Sequence, residues 1–600
     1  MSAGLQGGPG GMLRAYGAAE AAEGLNWKAL VRLFGFVRPY RKALVAALVV
    51  MVVASGAQLL GPYLIRSAID DQIRTGNLAG LDRVALALLA TYLIGAYASA
   101  RQEFLVGEMG QAVLRDMRGQ LFDHMQRLDM SFYDHEDAGK LISYVVNDVA
   151  VINELLASGV VTLVADVLML TGIIGIMLAL NARLALLSFS VLPLMVLLTW
   201  WFSHRAARTY RLTRQKIGVM VGRLAEDLST VRVIKAFAEE DRAIRQFEHT
   251  NRENRDANIA AIALAFAFRP GVDLLAAGAS LIVLWFGGLW AAAGLVSVGT
   301  IVAFLNYVTR FFTPIQELSQ LFTTVQAAAA GGERILRLLD TPPAILDAPD
   351  AVELPPLRGE VEFRHVYFSY DRKEPVLSDV SFRVAPGERV AIVGATGAGK
   401  STIAKLAARH YDVDSGAVLL DGHDVRGVTL ASLRGQLGVV PQEPFLFAAS
   451  IADNIRFGNP EATDEEVREA ARLARADIFI EALPRGYDTW VQEGAVNLSL
   501  GQRQLICLAR VMLTRPSLVI LDEATSSVDT QTERLIQEAM NELLSGRSAI
   551  VIAHRLATVR EVDRIIALEG GRIVEEGTHD DLVAAGGLYS RLYHTQMALA

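Results

Sequence analysis

Residues Gly394-Ala395-Thr396-Gly397-Ala398-Gly399-Lys400-Ser401 decide the reading of the C-terminal half. They follow the apolar run Arg389 to Val393, which reads as a buried strand, and precede Thr402 to Ala408, which reads as a helix. Strand, glycine-rich loop and helix, with Lys-Ser closing the loop, form the context that a phosphate-binding P-loop requires. Glycines let backbone amides approach phosphates closely, and the helix N-terminus favours their negative charge. Lys400 is expected on the outer phosphates of ATP, and the Ser401 hydroxyl on Mg²⁺. A chance glycine turn would not carry the complete pattern in that setting.

A second apolar strand downstream, Leu518 to Leu521, ends in Asp522-Glu523. Asp522 is placed to hold the Mg²⁺ shell and Glu523 to polarise an attacking water. Two acids after a strand are usually a solvated strand end; the loop upstream makes the catalytic reading dominant. A third strand, Ala549 to Ala553, leads into His554, which is expected to face the γ-phosphate. Short β-branched runs alternating with polar helices make 358–600 an α/β domain. The stretch before it, 341–357, is rich in Pro, Asp and Ala and reads as a linker.

The other half is of a different kind. Across all 600 residues the chain is 52% hydrophobic and only 20% charged, so part of it belongs in lipid. Its net charge of -8 argues against nucleic-acid binding. The single cysteine, Cys507, excludes an intrachain disulfide and reads as a small buried apolar residue. Six apolar stretches each suit a membrane helix of about 20 residues: roughly 43–65, 84–104, 160–180, 184–202, 272–290 and 298–318. Asn181-Ala182-Arg183 reads as a minimal turn between the third and fourth. The excursions 106–156 and 203–268 are long, helix-patterned and rich in Arg, which places them on the cytosolic side. Residues 1–25 read as a flexible cytosolic tail, and Trp27, Leu30, Val31, Phe34 and Val37 as an amphipathic helix at the membrane surface. The membrane domain is thus expected over 26–340, with both termini in the cytosol.

Further motifs bring a family resemblance into view. Leu498-Ser499-Leu500-Gly501-Gln502 resembles the signature sequence of ATP-binding-cassette proteins, and Val440-Pro441-Gln442 their glutamine loop. Ser526-Ser527-Val528-Asp529 is similar to the D-loop, Ala553-His554-Arg555 to the histidine switch, and Tyr370 to the aromatic residue that stacks on adenine. Phe132 to Leu141 with Asn147-Asp148, and Glu226 to Phe237, resemble the two coupling segments of exporters. The resemblance covers nearly the whole chain, membrane half first. Two positions depart from the pattern. Leu500 replaces a glycine of the signature, and Gln492-Glu493-Gly494-Ala495 stands where exporters carry Gly-Glu-x-Gly.

The resemblance implies a multidomain membrane protein: an all-α six-helix transmembrane exporter domain plus an α/β P-loop nucleotide-binding domain. It implies ATP and Mg²⁺, with Gln442 joining Ser401 and Asp522 around the metal. Two cassettes would face head to tail, one chain's P-loop opposite the other's Ser499, Gly501, Gln502 and Asp529. A second half-transporter is therefore required, in a heterodimer by preference or a homodimer. The expected activity is ATP-driven efflux of amphipathic drugs, lipids or peptides across the cell membrane. A DNA-repair cassette would need no membrane half; a channel using ATP binding only as a switch would share both halves, and Glu523 argues instead for turnover, with steady ATPase activity and uphill transport telling the two apart. Ionisable residues within spans face a cavity or a partner. Asp166, Arg269, Asp273 and Arg310 are such residues, and for Arg310 a cavity role and an interhelical ion pair both stay open.

Overall fold

The computed structural model describes residues 27–371, 373–522, 529–553 and 559–597. The expected tail, 1–25, lies outside them. The chain divides into two compact units. One holds the residues up to Gln126 and Asp137–Pro342; the other holds Arg127–Glu136 and Pro343–Ala600.

The first unit is helical throughout. Helices run over Arg41–Ser67, Leu78–Arg127, Val160–Phe189, Leu192–Ser229, Glu240–Ala292 and Val298–Asp340. The Leu78–Arg127 helix has 50 residues. At 1.5 Å per residue that is about 75 Å, more than twice the hydrocarbon thickness of a bilayer. Exposed apolar side chains such as Val45, Val49, Leu86, Leu89 and Leu93 cover the helix flanks, as a lipid-facing surface requires.

Among the described residues, five helical stretches are long and apolar enough to cross a membrane: Lys28–Ile73, Leu78–Arg127, Ala138–Phe189, Glu240–Ala292 and Val298–Ile315. The expected fourth span is where the structure differs from a simple hydropathy reading. The chain does turn at Asn181, whose backbone is extended (φ -162°, ψ 102°) and whose Oδ1 accepts from Leu184 N at 3.0 Å. The helix that follows stops at Phe189 and resumes at Leu192, with Pro193 in its first turn. Proline suits the first turn of a helix and cannot continue one from upstream, so the expected fourth span, 184–202, falls across two helices and is not among the five stretches.

Two long helices pair antiparallel. Phe202 stacks on Phe268 at 4.2 Å, Thr213 Oγ1 donates to Ala257 O at 3.1 Å, and Lys216 meets Glu253 at 2.8 Å. Partner numbers fall on one helix as they rise on the other. The last helix is tied at several levels. Ser297 Oγ caps its first turn, and Asp70 accepts from Gly299 N at 2.9 Å. Further along, Arg334 grips Asp148 through two bonds of 2.7 and 2.8 Å. Asp148 is buried, and a bidentate guanidinium is the geometry that offsets the cost of burying a carboxylate.

The second unit is built on two sheets. An antiparallel sheet has the order β2-β1-β4-β5, from Leu377–Val384, Val361–Phe368, Ser415–Leu420 and His423–Asp424. A six-stranded sheet has the order β10-β9-β3-β8-β7-β6. Its strands are Arg572–Gly577, Arg564–Glu569, Arg389–Gly394, Ser548–Ile552, Leu518–Asp522 and Leu437–Val440. All neighbours pair parallel except β10 on β9. β8 is buried along its whole length, which explains its apolar run without alternation. The segment read as a linker is bonded to this unit: Leu354 N donates to Ser432 Oγ at 2.9 Å and Leu357 N to Gln436 Oε1 at 2.7 Å.

Candidate nucleotide site

Register places the site. Ile392 pairs with Ile552, and Ile552 with Asp522, so the carboxyl ends of β3, β8 and β7 lie side by side. Ligands of open α/β sheets bind at such carboxyl ends. The Gly394–Ser401 loop leaves β3 there and enters the helix Lys400–Ala407. Gly399 caps that helix with φ +101°, and a Cβ there would sit 2.7 Å from Leu377 Cδ2. A Cβ on Gly394 would meet Leu568 O at 2.3 Å. Both glycines are therefore demanded by close packing as well as by approach to a phosphate.

Lys400 is buried, and its Nζ donates to Gly394 O at 2.9 Å and Ala395 O at 3.0 Å, bridging the loop. Burial lowers its pKa, while the Asp522 carboxylate works in the opposite direction. Ala395, Thr396 and Gly397 are exposed along the loop, whereas Ala398 and Thr402 are buried beneath it. Asp522 Oδ1 is buried and, among the described residues, has no hydrogen-bond partner. A carboxylate oxygen in that position fits a hard cation: with the hydroxyl of Ser401, in the first turn of the P-loop helix, it would supply oxygen donors, leaving other positions to phosphate and water. Among the described residues, no group of three His, Cys, Asp or Glu could hold a metal by itself. Gln442 is exposed two residues beyond β6, whose Val440 pairs with Leu521. Glu523, His554 and Ser526 to Val528 lie outside the described residues.

Tyr370 stands 39% exposed at the edge of the loop, its hydroxyl 3.1 Å from Thr402 Oγ1. Two residues missed by sequence reasoning hold it. Tyr411 meets its ring edge-on at 5.2 Å, and Lys405 Nζ lies 5.3 Å above it. Lys405 sits on the P-loop helix at an ordinary surface spacing, and no motif marks either residue.

Ser499 caps the helix Leu500–Leu513 in a capping box. Its Oγ accepts from Gln502 N at 3.2 Å, and Gln502 Oε1 accepts from Ser499 N at 3.0 Å. Ser499 and Gln502 thus orient one another at a helix N-terminus, and Gly501 is buried behind them. The Leu500 departure falls on the first residue of that helix, whose geometry is intact. Ala495, where exporters carry glycine, takes φ +52°, the left-handed region that glycine occupies without cost. Asp529 caps the helix Thr530–Leu544, accepting from Thr532 N at 3.0 Å, and that bond holds its carboxyl below the usual range.

In the membrane half, Arg310 Nη1 donates to Gln58 O at 2.6 Å, and among the described residues it forms no ion pair. Asp166 is buried, and among the described residues its Oδ2 lacks a hydrogen-bond partner. Arg269 and Asp273 are exposed on Glu240–Ala292.

Comparison with known proteins agrees with this geometry. A family profile described as the ABC transporter transmembrane region matches residues 44–315, and one described as ABC transporter matches 377–526. The chain is 37% identical over 575 residues to the putative multidrug export ATP-binding/permease protein YgaD of Bacillus subtilis (strain 168), covering 94% of this chain and 99% of that one. It is 34% identical over 565 residues to the ATP-dependent lipid A-core flippase of Syntrophus aciditrophicus (strain SB), covering 94% of each. A solved structure of a bacterial Atm1-family ABC exporter with ATP bound matches with a TM-score of 0.77 and 31% identity, over 93% of this chain and 98% of that one.

Proposed function

Because the chain belongs to the ATP-binding-cassette exporters, as a half-transporter that works as a dimer in a membrane and couples ATP hydrolysis to efflux, we propose that it forms a heterodimeric pump for amphipathic drugs, lipids or peptides. The observation that carries the catalytic part is that the Gly394–Ser401 loop with buried Lys400, and an Asp522 oxygen unpartnered among the described residues, leave the same edge of the sheet, from β3 and β7 on either side of β8. In this reading the amides of Gly394 to Ser401, with Thr402 behind them, cradle the ATP phosphates, and Tyr370 stacks on adenine. Ser401, Asp522 and Gln442 hold Mg²⁺, which offsets phosphate charge. Glu523 orients the attacking water and His554 faces the γ-phosphate. Ser499, Gly501, Gln502 and Asp529 close over the ATP of the partner chain. ATP drives the cycle only if it favours one conformation, and substrate only if it binds the other more tightly.

The heterodimer is part of the same proposal, which takes the chain to resemble the A subunit of TmrAB, a heterodimeric Thermus multidrug exporter. The drug and lipid classes draw on the names of the relatives. Asp166, Asp273 and Arg310 are proposed to contribute charge to the substrate cavity. We place the protein in the plasma membrane with its cassette and termini in the cytosol. The test is to purify the complex from native membranes, identify its second chain, and reconstitute it in liposomes. ATP-dependent accumulation of a fluorescent amphiphile against its gradient supports the reading. ATP-gated leakage down the gradient alone overturns it in favour of a channel.

A further inference from the structure

Three side chains, Phe368, Lys405 and Tyr411, surround the proposed adenine platform, and the last of them leads away from it. Tyr411 is buried, 8% exposed, just after the P-loop helix. Its ring meets Tyr370 at 5.2 Å and 89°, and Phe368 at 5.6 Å and 65°. Phe368 in turn meets Tyr370 at 4.9 Å and 84°. Lys405 Nζ lies 5.3 Å from the Tyr370 ring centre and 5.7 Å from that of Tyr411. Two edge-to-face contacts, from rings that also touch each other, hold the plane of Tyr370. Its hydroxyl is anchored on Thr402, inside the P-loop helix.

The Tyr411 hydroxyl has a polar anchor of its own. It donates to Asp134 Oδ2. Asp134 belongs to the short helix Met130–His135, in the segment Arg127–Glu136 that groups with the cassette although the chain enters it straight from the 50-residue helix Leu78–Arg127. The segment is tied down a second time, where Ala344 N donates to Asp129 Oδ1 at 3.0 Å. Burial first, and then the Asp134 carboxylate, push the Tyr411 phenol far above its usual range, so it stays a donor at any physiological pH.

We propose that Tyr411 is a positioning residue for ATP: anchored by Asp134, it holds the Tyr370 ring in the plane that stacks on adenine. The proposal rests on the nucleotide reading of the site and adds to it a residue and a direction. A ring fixed before the ligand arrives loses less freedom on stacking, which strengthens base recognition without touching the phosphates. Linkage makes the effect reciprocal: whatever displaces the Met130–His135 helix weakens the grip on the base, and a stacked base holds that helix.

The test uses the full complex, with photolabelling of this chain by 8-azido-ATP and competition by ATP or CTP, so that this chain's site is read apart from its partner's. Tyr411→Phe keeps the ring and deletes the donor; Asp134→Leu deletes the acceptor; Asp134→Asn keeps an acceptor oxygen. Loss of one hydrogen bond is expected to weaken ATP competition about five-fold in Tyr411→Phe and in Asp134→Leu. CTP competition, which depends on phosphates more than on stacking, should stay unchanged. The double variant should be no worse than either single one, and Asp134→Asn should retain the wild-type value. Unaltered ATP competition in Tyr411→Phe overturns the proposal, as does a parallel loss for CTP, or an additive double variant. If Asp134→Leu fails to assemble with its partner, Tyr411→Phe and Asp134→Asn decide the matter by the same criteria. A wild-type chain whose labelling ATP does not protect would overturn the nucleotide reading itself. Normal protection with an indifferent Tyr411→Phe would overturn only the role of Tyr411.

Discussion

The guanidinium of Arg310 donates to the carbonyl oxygen of Gln58 at 2.6 Å, and Gln58 stands four residues before Pro62. Proline has no N–H, so the carbonyl four residues upstream loses its helical partner. In lipid an unsatisfied carbonyl is costly, and a neighbouring helix can supply the donor. The last helix also reaches the next carbonyl, where Tyr307 hydroxyl donates to Leu59 O at 2.6 Å. Arg310→Met should therefore destabilise the membrane half by about 1.5–3 kcal/mol, the value of a charge-assisted bond to an otherwise orphaned acceptor. In a Pro62→Ala background, which restores the helical donor, the same substitution should cost much less. Thermal unfolding of the four proteins of this cycle in detergent checks it, and equal costs in both backgrounds would refute the pairing.

Glu523 follows Asp522 directly, and Asp522 ends β7 with a buried oxygen unpartnered among the described residues. Glu523→Gln should keep ATP affinity and nearly abolish turnover at this chain's site, accumulating closed cassettes. Phosphate release measured with the partner's site silenced is the check, and wild-type release would remove Glu523 from its assigned role.

Lys400 is held over the loop by two carbonyl oxygens and is desolvated there. A buried ammonium released from carbonyls to phosphate oxygens gains charge-assisted bonds. Lys400→Ala should weaken ATP binding as well as hydrolysis, by at least ten-fold in affinity if about 1.5 kcal/mol or more is lost. Equilibrium binding of a fluorescent ATP analogue reads this directly; unchanged affinity would mean that the loop does not cradle the phosphates.

The segments Phe132 to Leu141 and Glu226 to Phe237, proposed to couple the two halves, contain none of the residues assigned to the nucleotide site. A Cβ added at Gly139 would meet no atom within 4 Å, so a large side chain there should not disturb this chain's own packing. Phe237 is 75% exposed, just past the helix Val231–Ala236. Packed interfaces transmit rigid-body motion because they adopt discrete arrangements. Gly139→Trp or Phe237→Asp should leave part of the ATP hydrolysis while transport falls much further. Transport per ATP in proteoliposomes decides, and a stably assembled variant with the wild-type ratio would exclude these segments from coupling.

The proposed site was legible in large part because a phosphate-binding loop is a local sequence pattern. The loop Gly394–Ser401, its flanking strand and its helix are contiguous, and chemistry dictates the residue at nearly every position. The strand ending in Asp522 could be read for the same reason. Tyr411 and Lys405 were not legible, since an aromatic and a lysine near the P-loop helix are unremarkable until the fold turns them onto Tyr370. Arg310 could be marked only as a charge in an apolar span; its bond to Gln58 O, a carbonyl freed by Pro62 248 residues earlier in the chain, belonged to neither of the two readings the sequence left open.

The division follows the range of the forces. Hydropathy and helical spacing act within one segment, so the sequence by itself determined that the chain has a membrane half and a nucleotide-binding half, in that order, and where the phosphate loop lies. Parallel strand order, the pairing of Arg334 with Asp148, and the donors given to Gln58 and Leu59 join residues far apart in the chain. Such contacts form only after the intervening chain has paid its loop-closure entropy, and many segments compete for each partner. The tertiary structure alone decided them, and with them which charges in the membrane half are committed to holding its helices together.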